Sequence, residues 1–187
     1  MIASKIIEKI RKLIDTDLED QDFLDQMNEL SKKLFRKFPL PDEIYKFETT
    51  SIPYYQLPGD LSEDRVRSVV IDNQEYTKLA PETQSPPPYF CTVFVGSLYI
   101  SPNSEGKDAY LYYRPRPITL VNTTQTPNFL EDYHDLYVYD GAKYAAMLQR
   151  DTDMINNFQG EYGDILKEAQ QSLKKMGMRR AKETTKW

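Results

Sequence analysis

Residues 109–148 read AYLYYRPRPITLVNTTQTPNFLEDYHDLYVYDGAKYAAML, and the period of the chain changes within them. Ala109 to Tyr113 and Ile118 to Val121 are short β-branched and aromatic runs, the composition of strands. Pro115 and Pro117 between them suit a strand end or a sheet edge, because proline has no N–H to give to a ladder. Beyond Pro127, Tyr133, Tyr137, Tyr144 and Leu148 fall on one helical stripe. Gly141, Ala142, Ala145 and Ala146 add a small-residue face that lets another helix come close. The expected helix start is Thr126-Pro127, an N-cap followed by proline at the first helical position. Asn128 and Glu131 form an alternative capping pair.

The same division runs through the whole chain of 187 residues. All 12 prolines lie between Pro39 and Pro127. Proline breaks helix interiors, so the order reads helix, proline-rich middle, helix. Upstream, Ile6, Ile7, Ile10, Leu13 and Ile14 form an amphipathic stripe. Asp15-Thr16-Asp17 interrupts it, and Phe23, Leu24, Met27, Leu30, Leu34, Phe35 and Phe38 form the next, ended by Pro39 and Pro41. The middle alternates in twos. Strands are expected near residues 45–49, 65–71, 76–79, 90–95, 98–100, 109–113 and 118–121, all antiparallel, with turns at Asp72-Asn73 and Gly96-Ser97. Pro86-Pro87-Pro88 reads as an extended linker. Downstream, Asp151-Thr152-Asp153 stops one helix and caps another, which carries Ile155, Phe158, Tyr162, Ile165, Leu166, Ala169 and Leu173 and is expected to stop at Gly177. Helices are thus expected near 2–14, 20–37, 129–149 and 153–176.

Composition excludes several classes of function. With 40% hydrophobic and 28% charged residues the chain is globular. A net charge of −5 argues against general nucleic-acid binding, which needs cationic surface. One cysteine and one histidine leave no disulfide framework and little for a zinc site. No run approaches the ~20 apolar residues of a membrane span. Lys5, Lys9, Arg11 and Lys12 are woven into the first helical pattern, so no signal peptide is expected.

Candidate chemistry is sparse. Cys91 and His134 would need contact and an orienting third group to act as a nucleophile pair. Cys91 in its apolar run reads rather as a small buried hydrophobe, and His134 rather as a hydrogen-bonding or partly exposed helix residue. The acidic cluster around Asp15 to Asp22 lacks the spacing and glycine of a calcium loop, so capping explains it. No phosphate-binding loop or GxSxG motif occurs. No metal or cofactor is expected. Arg114 and Arg116 beside Tyr112-Tyr113 read either as base-stacking groups or as an edge or protein-interface cluster.

Thirteen of the 14 tyrosines lie between Tyr45 and Tyr144. Neighbours such as Tyr112/Tyr113 and Tyr137/Tyr139 point to different faces, and some are expected to meet another subunit. The subunit-interface candidates are therefore Tyr112, Tyr113, Arg114, Arg116, Tyr137 and Tyr139. Residues 174–187 hold Lys174, Lys175, Arg179, Arg180, Lys182 and Lys186 against Glu183, a charge of +5, which leaves −10 on residues 1–173. That tail, ended by Trp187, reads either as a solvated terminus or as a segment that docks on an acidic partner.

The stretch Pro127 to Ala142, with its proline, its acidic-aromatic-His-acidic run and its small residues, resembles the helix opening of tailed-bacteriophage head–tail adaptor (connector, neck) proteins. The acidic break at 151–153, the Phe158-x-x-x-Tyr162 helix, the N-terminal helix pair, the strand before Pro127 and Leu57-Pro58-Gly59-Asp60 are similar as well. The resemblance implies an α+β fold: a bundle of N- and C-terminal helices with an inserted antiparallel β-rich sub-domain. On that reading residues 1–38 and 128–177 form the bundle, 39–127 the insertion and 178–187 a basic tail. It also implies a ring, typically of 12 copies, with no catalysis. The ring sits under the portal in the virion neck, is assembled in the host cytoplasm, extends the channel through which genomic DNA passes unbound, and receives a tail or tail-nozzle protein. The basic residues from Lys174 to Trp187 would then contact the portal. A tail-completion or stopper protein, or an enzyme using Cys91 and His134, are the alternatives.

Overall fold

The computed structural model describes residues 1–38, 40 and 42–184, with side chains through Lys175. The fold is α+β: four helices near the two ends and a seven-stranded sheet between them. It divides into two compact units, Met1–Pro39 with Pro117–Trp187, and Leu40–Arg116.

In the helical unit, α1 (Ala3–Leu13) buries Ala3, Ile6, Ile7 and Ile10 at helical spacing. Leu13, expected in this stripe, is exposed. The first amides of α1 have no intrahelical acceptor. Two are satisfied by the chain before α3, Ala3 N–H by Gln125 O and Ser4 N–H by Thr123 O, both at 2.8 Å. The helix α2 (Asp20–Lys37) opens with a capping box between Glu19 and Asp22 and buries Phe23, Leu24, Met27, Leu30, Ser31 and Leu34. Its expected stops, Pro39 and Pro41, lie outside the described residues.

Three expectations about the next helices are corrected. The helix α3 (Asp135–Gln149) starts later than Thr126-Pro127, after a short 3-10 turn at Glu131–Tyr133. Pro127 is buried instead of opening a helix. Leu148, expected on the buried stripe, is exposed, because α3 buries its small-residue face instead. The helix α4 (Thr152–Thr184) is capped by Asp151, whose carboxylate accepts the Met154 amide at 3.0 Å. It runs through Gly177. A glycine costs a helix about 1 kcal/mol relative to alanine, and it stops one only where the chain turns left-handed. Such a turn does occur at Arg150, φ 58°, where α3 ends. α3 packs against α1, α2 and α4. Gly160 and Gly163 in α4 have open space where a Cβ would stand. Alanine at either position should raise stability by about 0.5–1 kcal/mol, read as a higher melting temperature.

Ile118 to Val121 is not a strand. The side-chain amide of Asn28 on α2 takes the place of a ladder partner: it donates to Leu120 O at 3.0 Å and accepts from Leu120 N–H at 2.8 Å. This segment therefore belongs to the helical unit, and the β unit ends at Arg116 rather than at residue 127.

The β unit contains β1 (Glu43–Glu48), β2 (Tyr54–Gln56), β3 (Val66–Ile71), β4 (Gln74–Leu79), β5 (Phe90–Phe94), β6 (Ser97–Ser101) and β7 (Asp108–Tyr113). Their order across the sheet is β1-β7-β3-β4-β5-β6-β2. The expected all-antiparallel arrangement fails at one pair: β4 and β5 run parallel, with Thr77 opposite Phe90. The ten-residue connection 80–89 is long enough to return the chain to the starting end, which a tight hairpin does not do. Asp72-Asn73 forms the expected turn, both residues at positive φ. The second hairpin turns one residue earlier than expected, at Val95-Gly96, leaving Phe94 opposite Ser97. The sheet curls around a core of Val66, Val69, Cys91, Leu98, Ile100 and Leu111, among others. Its edge strands approach each other, with the Phe47 and Tyr55 rings 4.7 Å apart.

Candidate interaction surfaces

Strand alternation sorts the tyrosine pair of β7. Tyr113 points inward and is buried, its hydroxyl donating to Glu43 Oε2 at 3.1 Å or to Asp60 Oδ1 at 3.2 Å. Burial first, and then the two carboxylates, push its hydroxyl pKa well above the ordinary tyrosine value. Tyr112 points to the opposite face, level with Ile44 on β1 and Ser68 on β3. The pair in α3 divides likewise. Tyr137 is fully buried with its hydroxyl 2.9 Å from Ser31 Oγ, whereas Tyr139 is half-buried. Tyr113 and Tyr137 thus serve the cores of their own units, and Tyr112 and Tyr139 are the members able to meet a neighbour.

Arg114 and Arg116 are tied to the loop before β3. The Arg114 amide donates to Arg65 O at 3.0 Å, and the Arg116 guanidinium donates to Gly59 O at 3.1 Å. Arg114 also lies 4.0 Å from Asp42. Of the tail cations, Lys174 and Lys175 are exposed near the end of the described side chains. Arg179, Arg180 and Lys182 fall in α4, where only the backbone is described, and Lys186 and Trp187 lie outside the described residues.

The lone thiol and imidazole have other partners. Cys91 is buried in β5 with its sulfur 4.0 Å from Tyr76 O, and burial pushes its pKa up to about 11, away from a reactive thiolate. The His134 ring is buried. Its Nε2 faces Phe129 O at 2.9 Å and its Nδ1 faces the Met1 amino nitrogen at 2.7 Å. A carbonyl only accepts, so Nε2 carries the proton and Nδ1 is the acceptor. Burial first, and then the Met1 charge, lower its pKa, against the opposing pull of Phe129 O and Glu131. The unfolded chain therefore takes up the proton before the folded one. Stability should be complete above about pH 6.5 and decline as the pH falls below it. The difference in melting temperature between the native chain and His134→Gln, measured at pH 7.5 and 5.5, checks this: only the native chain should show the histidine-dependent part of the loss.

One buried polar cluster was not legible in the sequence. Asp140 on α3 accepts from Gln26 Nε2 of α2 at 2.5 Å and pairs with Lys143 Nζ at 3.0 Å. Lys143 in turn lies 5.0 Å from the centroid of the Tyr162 ring on α4. Every group has a partner, so the cluster reads as a tie between helices. Among the described residues no group of three or more His, Cys, Asp or Glu is placed to hold a metal ion. No helix among them is long and apolar enough to cross a membrane.

The model of the family described as SU10 adaptor protein matches residues 1–183. No curated protein matches the chain. The match takes in both helical ends, the β unit and most of the basic segment, so the chain belongs to the SU10 adaptor protein family, a structural family of bacteriophage head–tail adaptors whose place is the virion neck.

Proposed function

We propose that this adaptor docks under the portal as a ring, extends the DNA channel and offers the tail its attachment site. The observation that carries the reading is the family match over nearly the whole chain, and the charge distribution agrees with it. Residues 1–173 carry −10, a body that repels the DNA it conducts, and residues 174–187 carry +5. In this reading the four helices act as a bundle, the β unit widens the ring or meets the next tail component, and about 12 copies close it. Tyr112, Tyr139, Arg114 and Arg116 lie toward neighbouring subunits. Lys174, Lys175, Arg179, Arg180, Lys182, Lys186 and Trp187 reach the portal, and the subunit waits in the host cytoplasm until heads are filled.

Electron microscopy of the full chain mixed with its portal tests this, with one added ring of density as the expected result. Capture by tail protein with no affinity for the portal would favour a stopper or tail-completion role. Recovery of infectious particles from a Cys91→Ala/His134→Ala double variant is the expected outcome for a structural protein, and loss of particles with intact folding would revive an enzymatic role.

A further inference from the structure

The outer face of β5, β6 and β2 carries no charge. Side chains alternate along these strands. Cys91, Val93, Leu98 and Ile100 face the core. The opposite face presents Phe90, Phe94, Tyr99 and Tyr54, with only serine, threonine and glutamine between them. The rings form a strip, Tyr54 to Tyr99 at 5.2 Å and Phe90 to Tyr99 at 6.0 Å between centroids. By contrast, the matching face of β1 and β7 mixes the charges of Lys46, Glu48 and Asp108 with Ile44, Tyr110 and Tyr112. Much of the strip is open to solvent: Phe94 is 60% and Tyr54 59% exposed, and in the adjoining loop and turn Ile52 is 63% and Val95 78% exposed. Val95 is the more telling because its φ is +49°. A two-residue hairpin turn of this kind favours Asn-Gly. A β-branched residue there costs on the order of 1–2 kcal/mol. Neither water nor the backbone favours valine at this position.

The same unit carries a segment that suits such a face. The connection 80–89 is exposed along its whole length. From Thr83 to Tyr89 it is also uncharged, reading Thr-Gln-Ser-Pro-Pro-Pro-Tyr. Its ends are pinned. The Thr83 amide donates to Ala80 O at 3.1 Å, the Thr77 amide donates to Tyr89 O at 3.1 Å, and the Tyr89 ring packs on Tyr76 at 5.5 Å. Three successive prolines hold a polyproline II helix that loses little entropy when bound, which is why aromatic-lined surfaces take such segments. At about 3.1 Å per residue, five residues reach ~15 Å, enough to cross three strands spaced ~4.8 Å apart.

We propose that the proline arm of one copy docks on the aromatic face of a second copy of this chain, an inference that rests on the ring reading above. Arm and face are both neutral, so neither strands a charge when water is excluded. The four open apolar side chains present on the order of 400–500 Å². That matches the apolar half of the ~800 Å² per partner in a standard interface. Because arm and face are different surfaces, the contact is head-to-tail, and a head-to-tail contact whose rotation closes makes a ring.

The test uses the full chain in native mass spectrometry and light scattering. A face variant (Tyr54→Ser with Phe94→Asp) and an arm variant (Pro86→Gly, Pro87→Ser and Pro88→Gly) change exposed positions only. Each alone should lose oligomers at least tenfold, while an equal mixture should form a one-to-one heterodimer, since it holds one intact arm and one intact face. A peptide of residues 82–90 should dissociate wild-type oligomers, which tests the contact without any variant. Wild-type chain that stays monomeric at about 100 μM, a mixture that stays monomeric, or oligomers indifferent to the peptide would each overturn the proposal. Portal capture is read in parallel. Rings that form on the portal with both surfaces altered overturn the docking and leave the adaptor role standing. Wild-type chain without affinity for the portal overturns the adaptor role, while the contact between copies remains measurable.

Discussion

Gly141→Leu should destabilise the helical unit by about 3 kcal/mol or more, seen as a fall of roughly 6–12 °C in melting temperature. Gly141 is buried in α3 where that helix meets α1 and α2. A Cβ built there runs into Ile10 Cδ1 and comes within 3.3 Å of Ile10 Cγ1 and 3.7 Å of Phe23 Cδ1. Alanine needs only the flexible end of Ile10 to turn aside. Leucine adds three more carbons to a space already filled by α1, and interiors this dense answer by moving backbone. Combining Gly141→Leu with Ile10→Ala should restore part of the loss, because the two positions share the same volume. Unchanged melting of the single variant would mean that the helices are not held this close. The open positions Gly160 and Gly163, where alanine is expected to stabilise, are the internal control.

Removing residues 178–187 should leave melting within about 1 °C of the native chain, yet stop the protein from completing filled heads. The described core of α4 ends at Leu173, four residues short of the cut. The deletion also removes Arg179, Arg180, Lys182, Lys186 and Trp187. A short basic segment gains affinity by ordering on an acidic partner, and tethering raises its effective concentration. The loss should therefore follow charge. Replacing the four cations by alanine should weaken portal capture by about tenfold or more, and raised salt should weaken the native contact, since exposed pairs are screened. Truncated protein that still completes heads would sink the docking role of this segment.

Local chemistry explains what could be read directly. Burial at every third or fourth residue made α1 and α2 visible to within a residue or two. Proline punctuation marked where the β unit begins but overran its end, since Pro117 and Pro127 belong to the helical unit, and Asp151 was legible as a cap because its oxygen serves an amide only three residues away. The candidate surfaces were less legible. The alternation of Phe90, Thr92 and Phe94 against Cys91 and Val93 shows two faces. Which face looks outward depends on β6 and on the curl of the sheet, and no local signal carries that. Asp140 looks like any acidic helix residue until Gln26, 114 positions earlier, comes within reach.

The order of helix, strands and helix, the acidic body and the basic end follow from the sequence alone, because proline content, periodicity and charge are properties of short stretches. Tertiary structure decided what distant pairing decides. It set β5 parallel to β4, turned Ile118 to Val121 into a segment held by Asn28, and carried α4 past Gly177. It also placed Tyr113 inside and Tyr112 outside, and left an uncharged aromatic strip open to solvent. The physical reason is common to these cases: burial and register are fixed by partners far along the chain, so a residue's neighbours in sequence do not determine what it meets in space.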